Sequence, residues 1–276
     1  MTSLAGKTAL ISGGSRGIGL AIALRAARDG ANVALLAKTD VPHRWLEGTV
    51  HTAAGAIEAA GGYALPIVGD VRNDDDIARA VERTVDQFGG IDIVVNNASV
   101  IDLSGSSELT VKKYDLMQDV NVRGTFMLSR AAIPALKRSP NPHILSLSPP
   151  LNLTRKWLGA FPGYMLAKYG MTLATLGLAA EFADDGVAAN TLWPETTIAT
   201  SAVRYTLGGE AMMKLSRTPQ IYADAAHVVL GRPSRECTGR SLLVEDVLRE
   251  AGVTDLSGYA AVPGTPEADL FGDAFL

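Results

Sequence analysis

Short apolar runs recur along this chain, each followed by a longer stretch with helical spacing. That alternation narrows the available folds more than any other feature. Residues 8–12, 32–37, 63–68, 91–95, 143–147, 187–192 and 241–244 read as strands, bounded by turn residues. Residues 18–29, 74–88, 111–137 and 165–182 read as helices. The second of these opens on Asp74, Asp75 and Asp76, where the helix dipole favours acids. The last is stopped by Asp184-Asp185-Gly186. The run at 91–95 has the apolar character of a strand buried on both faces of a parallel sheet. Strand and helix alternating this often predict an α/β fold: one doubly wound parallel sheet, a Rossmann domain with helices on both faces.

Composition bounds the rest. The chain has 276 residues, enough for one large domain and few for two. Hydrophobic residues make up 47% and charged residues 20%, which argues against disorder. A net charge of −4 leaves no basic stripe to neutralise phosphates, so nucleic acid is not an expected partner. Cys237 is the only cysteine, which rules out a disulfide within the chain. No apolar run reaches the roughly 18 residues of a membrane span, and the first residues lack the pattern of a signal peptide. These readings predict a cytoplasmic protein with no membrane span.

Ser12-Gly13-Gly14-Ser15-Arg16-Gly17-Ile18-Gly19 lies between the first strand and its helix. Glycines let the backbone turn tightly and approach a phosphate, and the helix N-terminus that follows offers free N–H groups. Its place directly after the first strand makes this a candidate dinucleotide site, with Ser12, Gly13, Ser15, Arg16, Gly17, Ile18 and Gly19 as cofactor-binding residues. The Gly-x-x-x-Gly-x-Gly spacing resembles that of the short-chain dehydrogenase/reductase family, whose usual Thr is here Ser12. The resemblance spans roughly residues 4–262.

An enzyme using NAD usually places an acid at the end of the second strand, to hold the ribose hydroxyls. Here that position carries Ala37-Lys38. Lys38 and Arg16 together suit a 2′-phosphate, so NADP(H) is the expected cofactor. Asp40, three residues past the strand end, is the acid that would argue for NAD. By resemblance, Asp70 and Val71 contact the adenine. Asn97 and Ala98, in Asn96-Asn97-Ala98-Ser99, line the cofactor cleft in the same way.

Tyr164 and Lys168 are spaced i, i+4, which on a helix puts both on one face. A free phenol ionises near pH 10, and a nearby ammonium lowers that value. Tyr164 is therefore the expected general acid/base for a carbonyl or alcohol, and Lys168 its partner. Both are also expected to touch the nicotinamide side of the cofactor. Asn121, in Asn-Val-Arg-Gly-Thr, matches the family's helix Asn, which supports a water in proton relay; a buried Asn that satisfies a local backbone carbonyl is the other reading, and the two are compatible. The family's serine, just after the fifth strand, aligns with Pro149, which has neither hydroxyl nor N–H. Ser148, one place earlier, is the candidate replacement, and Asn152 the other.

Ser148-Pro149-Pro150-Leu151-Asn152-Leu153, the long 39–52 connection with His43, Arg44 and Trp45, and Trp193-Pro194 are similar to the hydroxysteroid dehydrogenase-like branch of the family. Some members of that branch carry a following sterol-carrier domain, and none is expected within this chain. Residues 1–257 are expected to form the oxidoreductase domain, with 195–219 as a lid and 258–276 as a tail. Pro194 should shape the nicotinamide side, and Thr196, Thr197, Ile198 and Thr200 are candidates for the same surface. Tyr205, Leu207, Met212 and Met213 suit either a lid over a hydrophobic substrate or ordinary helix core. The tail is either a surface segment or one that packs on a neighbouring subunit. The family resemblance implies a homodimer or homotetramer acting on a small-molecule carbonyl or alcohol. A cofactor-binding protein with lost or minor catalysis is one rival reading, and the same fold doing different chemistry, such as dehydration or epimerisation, is another.

Overall fold

The computed structural model describes residues 3–44 and 46–276; Trp45, in the long connection, lies outside the described residues. The strands are β1 (Thr8–Ser12), β2 (Asn32–Ala37), β3 (Tyr63–Val68), β4 (Ile93–Asn96), β5 (His143–Ser146), β6 (Ala188–Trp193) and β7 (Ser241–Leu243). They form one parallel sheet in the order β3-β2-β1-β4-β5-β6-β7, as the alternation predicts. The order reverses between β1 and β4, which is where ligands bind in such sheets.

The period of 2 along each strand divides the core into two layers. Leu10 pairs with Ala34 and Val94, and all three point to one face. There they meet α3 (Asp74–Phe88), α5 (Gly124–Leu136) and α7 (Pro162–Glu181) through Ile77, Leu128 and Leu178. Ile11 pairs with Leu35 and Val95 and faces the other way. That face is covered by α1 (Gly17–Ala27), α2 (Val50–Ala59), α9 (Pro219–Leu230) and α10 (Val244–Glu250), through Ile22, Ile57, Ile221 and Val247. The shorter helices α4 (Val111–Met117), α6 (Arg155–Ala160) and α8 (Gly209–Lys214) lie between these layers in sequence. The acidic start of α3 is capped by Asn73, whose side chain accepts from the Asp75 and Asp76 N–H groups at 2.8 and 3.2 Å.

Two elements depart from the sequence reading. The expected helix over 111–137 is interrupted: α4 ends at Met117, a π-turn spans Gln118–Arg123, and α5 follows. Such a bulge rotates one side chain out of the helical register, here Asn121. The helix expected over 165–182 starts earlier, with Pro162 in its first turn, so Tyr164 is already helical. Among the described residues no helix is long and apolar enough to cross a membrane.

Candidate active site

A cleft of about 670 Å³ opens at the carboxyl ends of β1, β4, β5 and β6. The glycine turn forms one wall. The Gly13 N–H donates to the Leu36 carbonyl at 2.8 Å, and its φ of +68° favours glycine. A Cβ on Gly13 would lie 2.8 Å from Asn97 Nδ2 and 2.9 Å from Ala98 Cα. A Cβ on Gly19 would lie 2.5 Å from Asn97 Nδ2. The two glycines therefore let β1 and β4 close on one another. Asn97 Nδ2 locks this arrangement by donating to the Ser12 and Gly13 carbonyls, both at 2.9 Å. The Ser12 hydroxyl accepts from the Asn97 and Ala98 N–H groups at 3.2 Å. Ser12 and Gly19 thus brace the turn, while Gly13, Ser15, Gly17 and Ile18 line the cleft. No side chain caps the start of α1 and its first turn holds no acid. This cradle fits a pyrophosphate, which needs free N–H donors and no competing carboxylate.

At the far end of the cleft, Arg16 binds the long connection after β2. Its guanidinium donates to the Glu47 and Gly48 carbonyls at 2.9 and 2.7 Å and to Thr39 Oγ1 at 3.3 Å. Lys38 lines the same end, with Nζ 3.5 Å from Asp70 Oδ2 and most of its side chain exposed. Burial raises the Asp70 carboxyl, but hydrogen bonds from Arg72 and the Lys38 charge outweigh that and hold it at about 2. Asp40, the acid that would suit NAD, turns instead to His51 Nε2 at 2.7 Å. Val71 and Ala98 complete this part of the wall.

Tyr164 and Lys168 line the opposite end, one turn apart on α7. The Lys168 ammonium donates to the Leu147 carbonyl at 2.9 Å and lies 5.2 Å from the Trp193 ring centre. Burial lowers it to about 8, against the pull of Asp273. Among the described residues the Tyr164 hydroxyl has no hydrogen-bond partner. Burial, with Asp273 adding, pushes this phenol well above its ordinary value. The sequence reading expects the reverse, a phenol lowered by its lysine. The difference arises because Nζ is committed to a carbonyl and desolvation dominates.

Asn121 does not line the cleft. Its side chain accepts from the Val100 N–H at 2.8 Å and donates to the Val100 carbonyl at 3.0 Å, fixing the segment that follows β4. Ser148 is also absent from the cleft wall. Its Oγ is buried and accepts from Thr172 Oγ1 at 3.0 Å. Strand alternation explains this, since Ser146 faces α7 through Thr175 and Ser148 repeats that orientation two residues on. Leu147, between them, points into the cleft. Asn152 donates instead to the Phe275 carbonyl at 3.1 Å. Ser148→Ala is expected to leave kcat within about 2-fold, because surface-free hydroxyls bonded inside a fold act on stability, by ~1 kcal/mol. Steady-state kinetics and thermal melts would check this.

Pro194, Ile198 and Thr200 line the cleft, whereas Thr197 turns to Ser216 Oγ and Thr196 to Glu245. Val203–Leu207 forms a π-turn over the opening, and Tyr205 and Leu207 line it. Met212 packs over Gly208, and neither it nor Met213 reaches the cleft.

The residues the sequence reading missed come from 271–276. This segment folds back onto its own chain. The Thr197 N–H donates to the Phe271 carbonyl and the Asp273 N–H to the Glu195 carbonyl, both at 2.9 Å. Asp273 thereby enters the cleft beside Tyr164 and Lys168. Phe275 is fully buried among Trp157, Phe161, Tyr164, Tyr169 and Trp193, with ring centres 5.2–6.3 Å apart. Phe271, Phe275 and Leu276, three large apolar residues within six, were the available signal. Among the described residues no cluster of His, Cys, Asp or Glu could hold a metal ion.

The profile of the family described as short chain dehydrogenase matches residues 7–207. The chain is 51% identical over 273 residues to hydroxysteroid dehydrogenase-like protein 2 of Xenopus tropicalis, and 48% identical to its human counterpart. Those alignments cover 99% of this chain but only 64% and 65% of the relatives' own lengths. Among solved structures, a proposed dehydrogenase from Xanthomonas campestris superposes with a TM-score of 0.95 at 54% identity, covering 99% of both chains. A short chain dehydrogenase from Mycobacterium thermoresistibile gives 0.93 at 59% identity, covering 99% of this chain and 96% of that one.

Proposed function

The chain belongs to the short chain dehydrogenase family of nicotinamide-dependent oxidoreductases, and from that premise we propose that it interconverts an apolar carbonyl compound and its alcohol with NADP(H). The observation that carries this reading is the pairing of Tyr164 and Lys168 in the same cleft as the glycine turn. When bound, the nicotinamide nucleotide supplies or accepts the hydride. Gly13, Gly17 and the first turn of α1 would hold its pyrophosphate. Val203, Tyr205 and Leu207 give the opening the apolar surface that a hydrophobic substrate needs.

The burial that raises the Tyr164 phenol keeps it protonated at neutral pH, poised as an acid. In reduction its O–H bond breaks as a new O–H bond forms on the substrate oxygen. The Lys168 ammonium, one turn away, stabilises the phenolate left behind. Asn121 holds the backbone at Val100, and so the shape of the wall opposite α7.

Arg16 and Lys38 support the choice of NADP(H), since both cations line the end of the cleft remote from Tyr164. The protein should bind NADPH more tightly than NADH in a fluorescence titration. Lys38→Glu should weaken NADPH by roughly 10–100-fold, the size of one charged hydrogen bond reversed, and should tighten NADH, because the new acid can hold the ribose hydroxyls. Tighter binding of NADH to the wild type would sink the NADP(H) assignment. The inward-turned Ser148 and the proline after it favour a second reading, a nucleotide-binding protein with lost catalysis. That reading predicts NADPH binding without oxidation by any aldehyde or ketone.

A further inference from the structure

Among the described residues the segment just after β5 presents no hydroxyl to the cleft: Pro149 has none, and the buried Ser148 Oγ faces Thr172 Oγ1. Another polar side chain reaches it, from a segment remote in sequence. Of residues 271–276, Asp273 is the one that lines the cleft, together with Tyr164 and Lys168. Among the described residues Asp273 Oδ1 accepts from the Ala274 N–H at 2.7 Å and Oδ2 has no hydrogen-bond partner. The placement is enforced from both sides. The Asp273 N–H is tied to the Glu195 carbonyl. Trp193 Nε1 donates to the Ala274 carbonyl at 2.9 Å, and the Phe275 ring is held by five aromatic neighbours. Phe275 has a φ of +75°, in the left-handed region, which a bulky residue tolerates only when packing dictates it.

We propose that Asp273 is a catalytic residue whose protonated carboxyl donates a hydrogen bond to the substrate oxygen, alongside the Tyr164 phenol. The identity of that oxygen rests on the oxidoreductase reading above. A donor fixed before the reaction stabilises charge developing on the oxygen without reorganising. A carboxyl can serve only as the neutral acid. Its surroundings favour that form: burial dominates and raises it to about 7, the Glu245 carboxylate on α10 adds to this, and Lys168 and the Ala274 N–H oppose it. Tyr164 on α7 and Tyr222 on α9 face the same volume as neutral phenols held up by burial. The Glu195 carboxylate turns away to Arg249 at 3.2 Å. On the carboxyl's account activity is present below about pH 7 and falls as pH rises through it.

The test compares the wild type with Asp273→Asn and Asp273→Ala, in the full chain and at matched nucleotide saturation. Asp273→Asn keeps a neutral donor of the same shape. It should retain kcat within about 10-fold and lose the inflection near pH 7. Asp273→Ala should lose about 10²-fold in kcat with an unchanged Kd for NADPH, the usual cost of one such donor. Infrared difference spectra of the nucleotide-free protein give a readout independent of turnover. A carboxylic-acid C=O band should disappear on raising pH through about 7, shift on adding a medium-chain methyl ketone, and be missing from Asp273→Asn. A titrating, ketone-sensitive band in a protein that turns over no carbonyl would support the Asp273 hydrogen bond to the ligand oxygen and count against the oxidoreductase reading. A carboxyl ionised throughout, an Asp273→Asn as impaired as Asp273→Ala, or an Asp273→Ala with wild-type kcat would each overturn it.

Discussion

Tyr164→Phe is expected to lower kcat by about 10²–10⁴-fold, the span usual for loss of a positioned proton donor. The substitution is clean in this fold. The ring lies 6.0 Å from both Phe161 and Phe275, and those contacts survive removal of the oxygen. The hydroxyl faces the cleft and bonds no other described residue, so folding loses no internal hydrogen bond. The melting temperature should therefore move little, and NADPH should bind with nearly its original Kd. Turnover of a carbonyl substrate at saturating NADPH checks the effect. A variant within tenfold of the wild type would mean that another group delivers the proton.

Phe275→Ala should have the largest structural effect of any single change in the 271–276 segment. Deleting a buried phenyl group costs about 3–5 kcal/mol, and here five aromatic neighbours lose their common partner. The segment can leave without opening the sheet, so the loss should show mainly as local undocking. Hydrogen exchange should accelerate at the Phe271 and Asp273 amides, which donate to the Leu215 and Glu195 carbonyls. The melting temperature should drop less than a global loss of that size implies. Phe275→Leu, which keeps most of the apolar volume, should fall between. Amides that stay protected in Phe275→Ala would show that the backbone bonds alone hold the segment.

The two faces of the sheet were legible because apolar runs repeat with period 2 inside strands and are spaced by helices. The glycine turn was legible for a similar reason, since its place after β1 is a local property. What sequence could not reveal depends on contacts between distant residues. The interruption of the 111–137 helix falls where Asn121 bonds the Val100 backbone, and helical spacing carries no trace of that bond. Ser148 looked available because proximity in sequence to the usual serine position suggested it. Alternation along β5 turns it toward Thr172 instead, and counting from the buried Ser146 would have said so. Asp273 had no local signal, because an acid among glycines and prolines reads as surface. Its surroundings come from β6, α7, α9 and α10.

The folding of residues 271–276 over the cleft also sets an order of assembly. A chain made from its amino end releases β1, α1 and the Tyr164–Lys168 helix well before Asp273, and domains organise from that end during synthesis. The residues of the glycine turn and of the Tyr164–Lys168 helix are thus made while the acid is still absent. Long-range closure then comes last, at the modest entropic cost of joining distant segments. A chain ending before residue 271 would carry the glycine turn, Tyr164 and Lys168 but not the carboxyl that joins them in the cleft.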